Sequence, residues 1–353
     1  MKPKDILNEL LLEIMSQNGS DIHLSEGRKP IVRVQGDLVT LNKYEILSKE
    51  DIVAFLREMV NDTFIKDFNE KQEIDFSHSI KDKARFRGNA FVQRGRFGIV
   101  MRLIPKEIKT VEELGLPQVI NEFANKKQGF FLVVGPVGQG KSTTLAAMVE
   151  KINQDRAEHI ITIEDPIEYV YEPKRSIIDQ REVKIDTPTF EDGLHGTFRQ
   201  DVDVILVGEM RGRETISAAV TAAETGHLVF STLHTNNASQ TVDRIIDSFP
   251  AEQQDQIRMQ LSSSLIGIFS QRLIPRIAGG MVPAYELLIN NNAISNLIRE
   301  KRTHEIDTVI ETSSDSGMID MNRTLTDLVR RGEITAENAM LHSFRPQVLE
   351  KML

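Results

Sequence analysis

Two patterns of apolar and polar positions divide this chain. Over the first hundred residues, apolar positions either recur at helical spacing or alternate with polar ones. Ile6, Leu7, Leu10, Leu11 and Ile14 fall on one helical face and predict an amphipathic N-terminal helix. Asn18-Gly19-Ser20-Asp21 is a turn cluster, and Ile22–Leu24 then alternates with polar positions. Ile31–Val34 and Leu38-Val39 flank the turn residues Gln35-Gly36-Asp37 and predict a hairpin. Ile52–Met59 predicts a helix. Ala84–Ala90 and Gly98–Leu103 alternate basic with apolar residues and predict paired strands with one exposed face. Residues 105–117, with two prolines and a charged patch, read as a linker between a domain at 1–104 and another at 118–353.

Beyond the linker, apolar residues come in short unbroken runs: Phe130–Val134, Ile160–Ile163, Val204–Val207 and Leu228–Phe230. Such runs suit strands of a parallel sheet covered on both faces. Helical patterns lie between them, at Ser142–Asn153 and Glu214–Thr225, so the segment predicts an α/β core. The chain from about Asp243 reads as mostly helical.

The sharpest chemical signal comes directly after the first of these runs. Gly135-Pro136-Val137-Gly138-Gln139-Gly140-Lys141-Ser142, with Thr143 next, fits the phosphate-loop pattern between a buried strand and a helix. Its glycines let backbone amides turn inward on phosphate oxygens, and the helix start adds its positive dipole end. Lys141 is suited to the β- and γ-phosphates and the Ser142 hydroxyl to Mg²⁺. The competing reading is a glycine turn before a helix. A phosphate loop also needs an acid at a neighbouring strand end. Glu209 closes the run Val204–Val207 after Gly208 and can hold the metal. Glu164 closes Ile160–Ile163 before Asp165-Pro166 and can polarise a water. Either acid alone also fits a simple strand-end turn. His227 and His234 flank Leu228–Phe230, as γ-phosphate sensors or as hydrogen-bonded structural histidines.

Composition narrows the partners. Among 353 residues there is no cysteine, which excludes disulfides, thiolate zinc sites, iron–sulfur clusters and cysteine nucleophiles. The net charge of −9 disfavours a duplex nucleic acid as partner. No apolar run approaches the roughly 18–20 residues that cross a membrane. Lys2 and Lys4 resemble the start of a signal peptide, but Asp5, Glu9 and Glu13 break up the next stretch, so the expectation is a cytoplasmic protein.

Four motifs in order carry a resemblance. Gly135–Ser142, Thr162–Tyr169, Leu206–Arg211 and Thr225–His234 resemble the Walker A, Asp box, Walker B and His box of the type II/IV secretion ATPase superfamily. Ser20–Leu24 and Arg85–Phe91 extend the likeness toward the N-terminus. Asn292–Glu300, Gly317-Met318 and Asp327–Gly332 are similar to the branch that retracts type IV pili. Val137, Gln139, Gly212 and Ser295 depart from the usual residues of these motifs.

The resemblance implies an N-terminal PAS-like α/β domain and a C-terminal RecA-like P-loop domain, assembled as a homohexamer. It implies ATP and Mg²⁺ as ligands, with Glu164 as general base and Glu209 as magnesium partner or second acid. His227 and His234 become γ-phosphate sensors, and Arg85, Arg87 and Arg102 candidates to reach the γ-phosphate. The implied function is a hexameric motor for pilus retraction and twitching motility. It would be peripheral at the inner membrane through a pilus platform protein and accompanied by a paralogous retraction ATPase. An accessory retraction ATPase, a RecA-like nucleic-acid translocase and a non-catalytic ATP-binding regulator are the alternatives. Pilus-assembly and type II secretion ATPases commonly carry a tetracysteine module that this chain cannot build.

Overall fold

The computed structural model describes residues 2–80 and 83–353. The chain forms two compact units: Met1–Glu107 with Pro166–Val170, and Ile108–Asp165 with Tyr171–Leu353.

The first unit is built from α1 (Pro3–Ser16), β1 (Gly19–Ser25), β2 (Ile31–Val34), β3 (Asp37–Thr40), α2 (Lys49–Met59), α3 (Asp62–Lys71), β4 (Glu73–Ile80), β5 (Ala84–Gln93) and β6 (Arg96–Ile104). Its strands pair antiparallel in the order β3-β2-β1-β6-β5-β4. Pro3 opens α1, where its missing N–H costs nothing. A capping box opens α2: Ser48 Oγ accepts from the Asp51 N–H, and the Asp51 carboxylate accepts from the Ser48 N–H. The predicted stripe Leu7, Leu10, Leu11 and Ile14 packs with Ile22, Phe55, Phe86 and Met101 in one core.

The opposite face of that sheet is polar. Arg87 of β5 and Arg102 of β6 stand directly across from each other. Like charges in that register repel, and each has its own carboxylate. Arg102 Nε donates to Asp21 Oδ1 at 2.8 Å, and Arg87 Nη1 to Glu168 Oε1 at 3.1 Å.

The second unit continues with α4 (Val119–Ala124), β7 (Gly129–Val134), α5 (Lys141–Asp155), β8 (His159–Glu164), β9 (Ile177–Glu182), α6 (Phe190–Thr197), β10 (Val204–Val207), α7 (Arg213–Glu224), β11 (Leu228–Leu233), α8 (Ala238–Asp247), α9 (Ala251–Ser264), β12 (Leu265–Pro275) and β13 (Met281–Ile289). It closes with α10 (Asn292–Arg299), α11 (Ile306–Thr312), α12 (Met321–Arg330), α13 (Ala336–His342) and α14 (Pro346–Glu350). The sheet order is β13-β12-β7-β11-β10-β8-β9, parallel except for β13. Each predicted apolar run is a strand, and β7, β10 and β11 are buried along their whole length. Phe130, Leu132 and Val134 pack with Ala219, Val242 and Ile257 of the helices on one side. Phe131, pointing the other way, meets Phe123 of α4 at a centroid distance of 4.5 Å.

The chain beyond Asp243 carries more than helices. The hairpin of β12 and β13 lies within it, with β12 parallel to β7. Burial on both faces gives Leu265–Phe269 a run with no period-two alternation. Ser270, Gln271 and Arg272 look like a polar helix face in sequence but are buried in the strand.

On α10, Ile294, Leu297 and Ile298 are buried, as their spacing predicts, whereas Arg299 at its end and Glu300 and Arg302 just beyond it are exposed. Asn291 caps the helix by accepting from the Ile294 N–H. The departing residue Ser295 donates its hydroxyl to the Ser262 carbonyl at 2.8 Å, fastening α10 to α9.

Candidate active site

Four neighbouring strands of the second sheet, β7, β11, β10 and β8, end at the same edge. The phosphate loop comes after β7, His234 after β11, Gly208-Glu209 after β10, and Glu164 ends β8. Because the strands run parallel, these residues gather where such sheets bind ligands. Backbone bonds fix the edge. The Gly135 N–H donates to Leu233 O at 3.3 Å, Gly208 N–H to Ile163 O at 2.8 Å, and Met210 N–H to Thr232 O at 3.3 Å.

The loop conformation needs its glycines. Gly135 sits at φ 146°, and a Cβ there would lie 2.5 Å from the Gln271 carbonyl oxygen. Gly140, at φ 80°, is the left-handed N-cap of α5. A side chain at either position would be strained. Lys141, Ser142 and Thr143 form the first turn of α5, whose N–H groups precede the helix's own hydrogen-bond ladder. Lys141 is buried, and its Nζ donates to the carbonyls of Gly135 and Pro136, each at 2.8 Å. Val137 and Gly138 form the tip between these anchors, and Val137 is exposed.

His234 links the lysine to the acid. Its Nδ1 lies 3.4 Å from Lys141 Nζ, and its Nε2 lies 3.5 Å from Glu209 Oε2. A neutral imidazole protonated on Nε2 suits both neighbours, accepting from the ammonium and donating to the carboxylate. Glu209 Oε1 also pairs with Arg211 Nη2 at 2.6 Å. Glu164 is buried and accepts from the Thr162 hydroxyl at 2.7 Å and from Gln180 Nε2 at 3.4 Å. Glu209 thus stands beside His234 and Arg211, while Glu164 is buried at the sheet edge.

His227 is not brought to this edge. Its carbonyl accepts from the Gly129 N–H at the start of β7, the end opposite the loop. The six residues of β11 separate it from His234, roughly 20 Å at strand rise. Its Nδ1 lies 2.9 Å from Ala222 O, and its ring meets Phe198 edge-on at 5.8 Å. The sequence shows two histidines flanking one strand, and a parallel strand sends its two ends to opposite edges. Arg85, Arg87 and Arg102 belong to the first unit. Arg85 donates to Ser77 Oγ at 3.0 Å and to Ser79 Oγ at 3.3 Å.

Two residues of the loop's surroundings escape the sequence motifs. Gln271 and Arg272, on β12, lie against the loop. Arg272 Nη2 donates to Asn236 Oδ1 at 2.8 Å, just beyond His234, and its guanidinium rests over Phe344 at 5.2 Å. Across the hairpin, Glu286 is buried and accepts from the Ala238 N–H at 2.9 Å. Burial pushes its carboxyl up to about 7, and nearby Asp307 adds to the rise. The only sequence signal for this set is three consecutive polar residues inside an otherwise apolar run.

Mg²⁺ commonly takes one or two protein oxygens and completes its shell with phosphate and water. The Ser142 hydroxyl and the Glu209 carboxylate are a donor set of that kind. Among the described residues, no group of three or more His, Asp or Glu is placed to hold a metal unaided. No helix among them is long and apolar enough to cross a membrane.

Comparison with known proteins agrees with this geometry. A family model described as "Type II/IV secretion system protein" matches residues 2–280. The type IV pilus retraction ATPase PilT of Pseudomonas aeruginosa is 46% identical over 333 residues, 94% of this chain and 96% of that protein. The type IV pilus ATPase PilU of the same organism is 41% identical over 347 residues, 98% of this chain and 91% of that protein. The crystal structure of the pilus retraction motor PilT with bound ADP superposes with a TM-score of 0.90. It is 46% identical and covers 98% of this chain and 99% of that one.

Proposed function

We propose that this chain, which belongs to the type II/IV secretion system protein family, is an ATPase that powers retraction of type IV pili. The single observation that carries the reading is the convergence of Lys141, His234, Glu209 and Glu164 at one edge of a parallel sheet beside a phosphate loop.

In this reading, the N–H groups of Gly138–Thr143 and the Lys141 ammonium cradle the β- and γ-phosphates of ATP. Lys141 exchanges its two loop carbonyls for phosphate oxygens. Ser142 and Glu209 hold Mg²⁺, which supplies charge neutralisation to the phosphates when bound. Glu164, sequestered from solvent, accepts a proton from the attacking water. His234 sits between the lysine and Glu209, so a γ-phosphate that draws Lys141 forward also changes what His234 Nδ1 faces. This makes it the sensor of the site. For the γ-phosphate contact of Arg85, Arg87 and Arg102, the support is the resemblance alone, as it is for His227. The resemblance also supports a homohexamer, a PAS-like role for 1–104 with a linker at 105–117, and docking on an inner-membrane pilus platform protein from the cytoplasm. It adds a paralogous retraction ATPase as companion.

The accessory-motor alternative is less supported, since identity to PilU is 41% against 46% to PilT. The net charge of −9 counts against a nucleic-acid translocase. The test pairs a steady-state ATPase assay on the purified protein with deletion of its gene. ATP turnover in vitro, with lost twitching and accumulated pili in the deletion strain, is the expected result. Normal twitching, or loss of pili rather than their excess, rejects retraction.

A further inference from the structure

The geometry points to Gln271 as a positioning residue for the phosphate loop, a role that rests on reading that loop as a nucleotide site. Gln271 lies on β12, the parallel neighbour of β7, and is 3% exposed. Both ends of its amide are spent on the loop. Nε2 donates to the Gln139 carbonyl at 2.7 Å, and Oε1 accepts from the Thr144 hydroxyl at 2.6 Å. Two residues along, the Leu273 N–H donates to the Gln139 side-chain Oε1 at 2.7 Å. One side chain therefore ties down the residue before the Gly140 bend and the helical turn after it. A Cβ on Gly140 would lie 2.8 Å from Gln271 Nε2, so amide and loop are in direct contact.

The physical need is clear. A phosphate loop works by keeping several N–H groups aimed at one point, and a glycine-rich segment loses much conformational freedom when it is so arranged. Holding the loop beforehand removes that cost from the binding step. Gln271 acts through Gln139 and Thr144 rather than on the phosphates. Polar residues inside an apolar strand are costly unless satisfied, and here both amide ends are satisfied by the loop.

The test measures ADP affinity, ATPase KM and kcat, and thermal unfolding on the full-length protein. Gln271→Met keeps the length of the side chain and removes both bonds. ADP affinity should fall and KM for ATP rise roughly tenfold, with kcat changed by less than about threefold, because the cost of ordering the loop returns to the binding step. Thr144→Val should show a smaller change in the same direction, and Thr144→Ser, which retains the hydroxyl, should restore it. The double variant Gln271→Met/Thr144→Val should be no worse than Gln271→Met alone, because the bond is already absent. A purely structural glutamine would lower the unfolding temperature and leave KM and the hydroxyl-dependent rescue unmoved. That outcome overturns the proposal, as does unchanged ADP affinity in either folded variant. Should Gln271→Met fail to fold, Thr144→Val against Thr144→Ser decides alone. Wild-type protein that binds no ADP would reject the nucleotide site and the clamp together.

Discussion

The two sheets expose polar chemistry in opposite ways. In the first unit, one face of an antiparallel sheet packs on α1–α3, and the other displays Arg87, Asn89 and Arg102, with the buried Asp21 beneath Arg102. In the second, the central strands β7, β10 and β11 are buried along their whole length, and the side chains of the candidate site stand where strands end. A polar face distributes its charge over many replaceable positions. A strand end offers one position, with backbone and neighbours fixed. Single substitutions should therefore be severe at the edge of the second sheet and mild on the face of the first.

The largest effect is expected at Lys141. Lys141→Ala should reduce ATP turnover by at least about 10²-fold, the scale of losing a charged donor to a developing phosphate charge. Turnover near wild type in the purified variant would remove the site from this edge altogether. Glu164→Gln should lower kcat by roughly 10²-fold or more while ADP still binds, as for loss of a general base. A variant that loses ADP binding instead would place Glu164 in recognition rather than proton transfer.

The two ends of β11 sharpen the contrast within one strand. His234→Ala should cost about tenfold or more in turnover, since it removes contacts to two charged groups. His227→Ala should leave turnover of the isolated protein within about twofold. Equal losses at both positions would mean that His227 reaches the chemistry by a route other than the edge of its own sheet.

Charge inside the second sheet should also cost stability that charge on the first sheet's face does not. The Glu286 carboxyl is raised from 4.5 to about 7. Between those values the folded protein keeps a proton that the unfolded chain releases, so stability falls as pH rises through this window. Glu286→Gln retains an acceptor for the Ala238 N–H and removes the titration. Its unfolding free energy should be flatter from pH 4.5 to 7 and higher at pH 8, by on the order of 3 kcal/mol at most. Chemical denaturation at both ends of the window reads this directly, and parallel pH profiles would disprove it. Arg87→Ala is the mild counterpart: it breaks a half-exposed ion pair with Glu168, and a stability change of about 1 kcal/mol or less is expected.

The same contrast decides how much of the molecule is legible in its sequence. The placement of the phosphate loop, Glu164 and Glu209 at one edge is legible because each follows the end of an unbroken apolar run, Glu209 after the intervening Gly208, and a run that ends fixes where the next polar side chain emerges. The stripe on α10 is legible from its spacing. Gln271 is not, because its partners are a loop carbonyl and a threonine more than a hundred residues earlier. Nor does spacing mark a buried glutamine as different from one on an exposed helix face. His227 and His234 stand at different edges for a topological reason: proximity along a strand is separation across a sheet. In the first unit, Ile74 and Phe76 of β4 alternate with polar residues as Phe86 and Gly88 do on β5, so that strand is open to reading by the rule that finds its neighbour.

The membership of Pro166–Val170 in the first unit has a consequence for anyone dissecting this protein. The chain passes between the units after Glu107, after Asp165 and after Val170. No single cut delivers both units whole. A fragment ending at Glu107 lacks Glu168 and leaves the Arg87 guanidinium without that carboxylate. A fragment beginning at Ile108 carries five residues that belong to the other unit, attached two positions beyond Glu164. Truncation experiments on this chain therefore remove more than a domain, and their phenotypes need the five-residue strap restored before they are assigned to either unit.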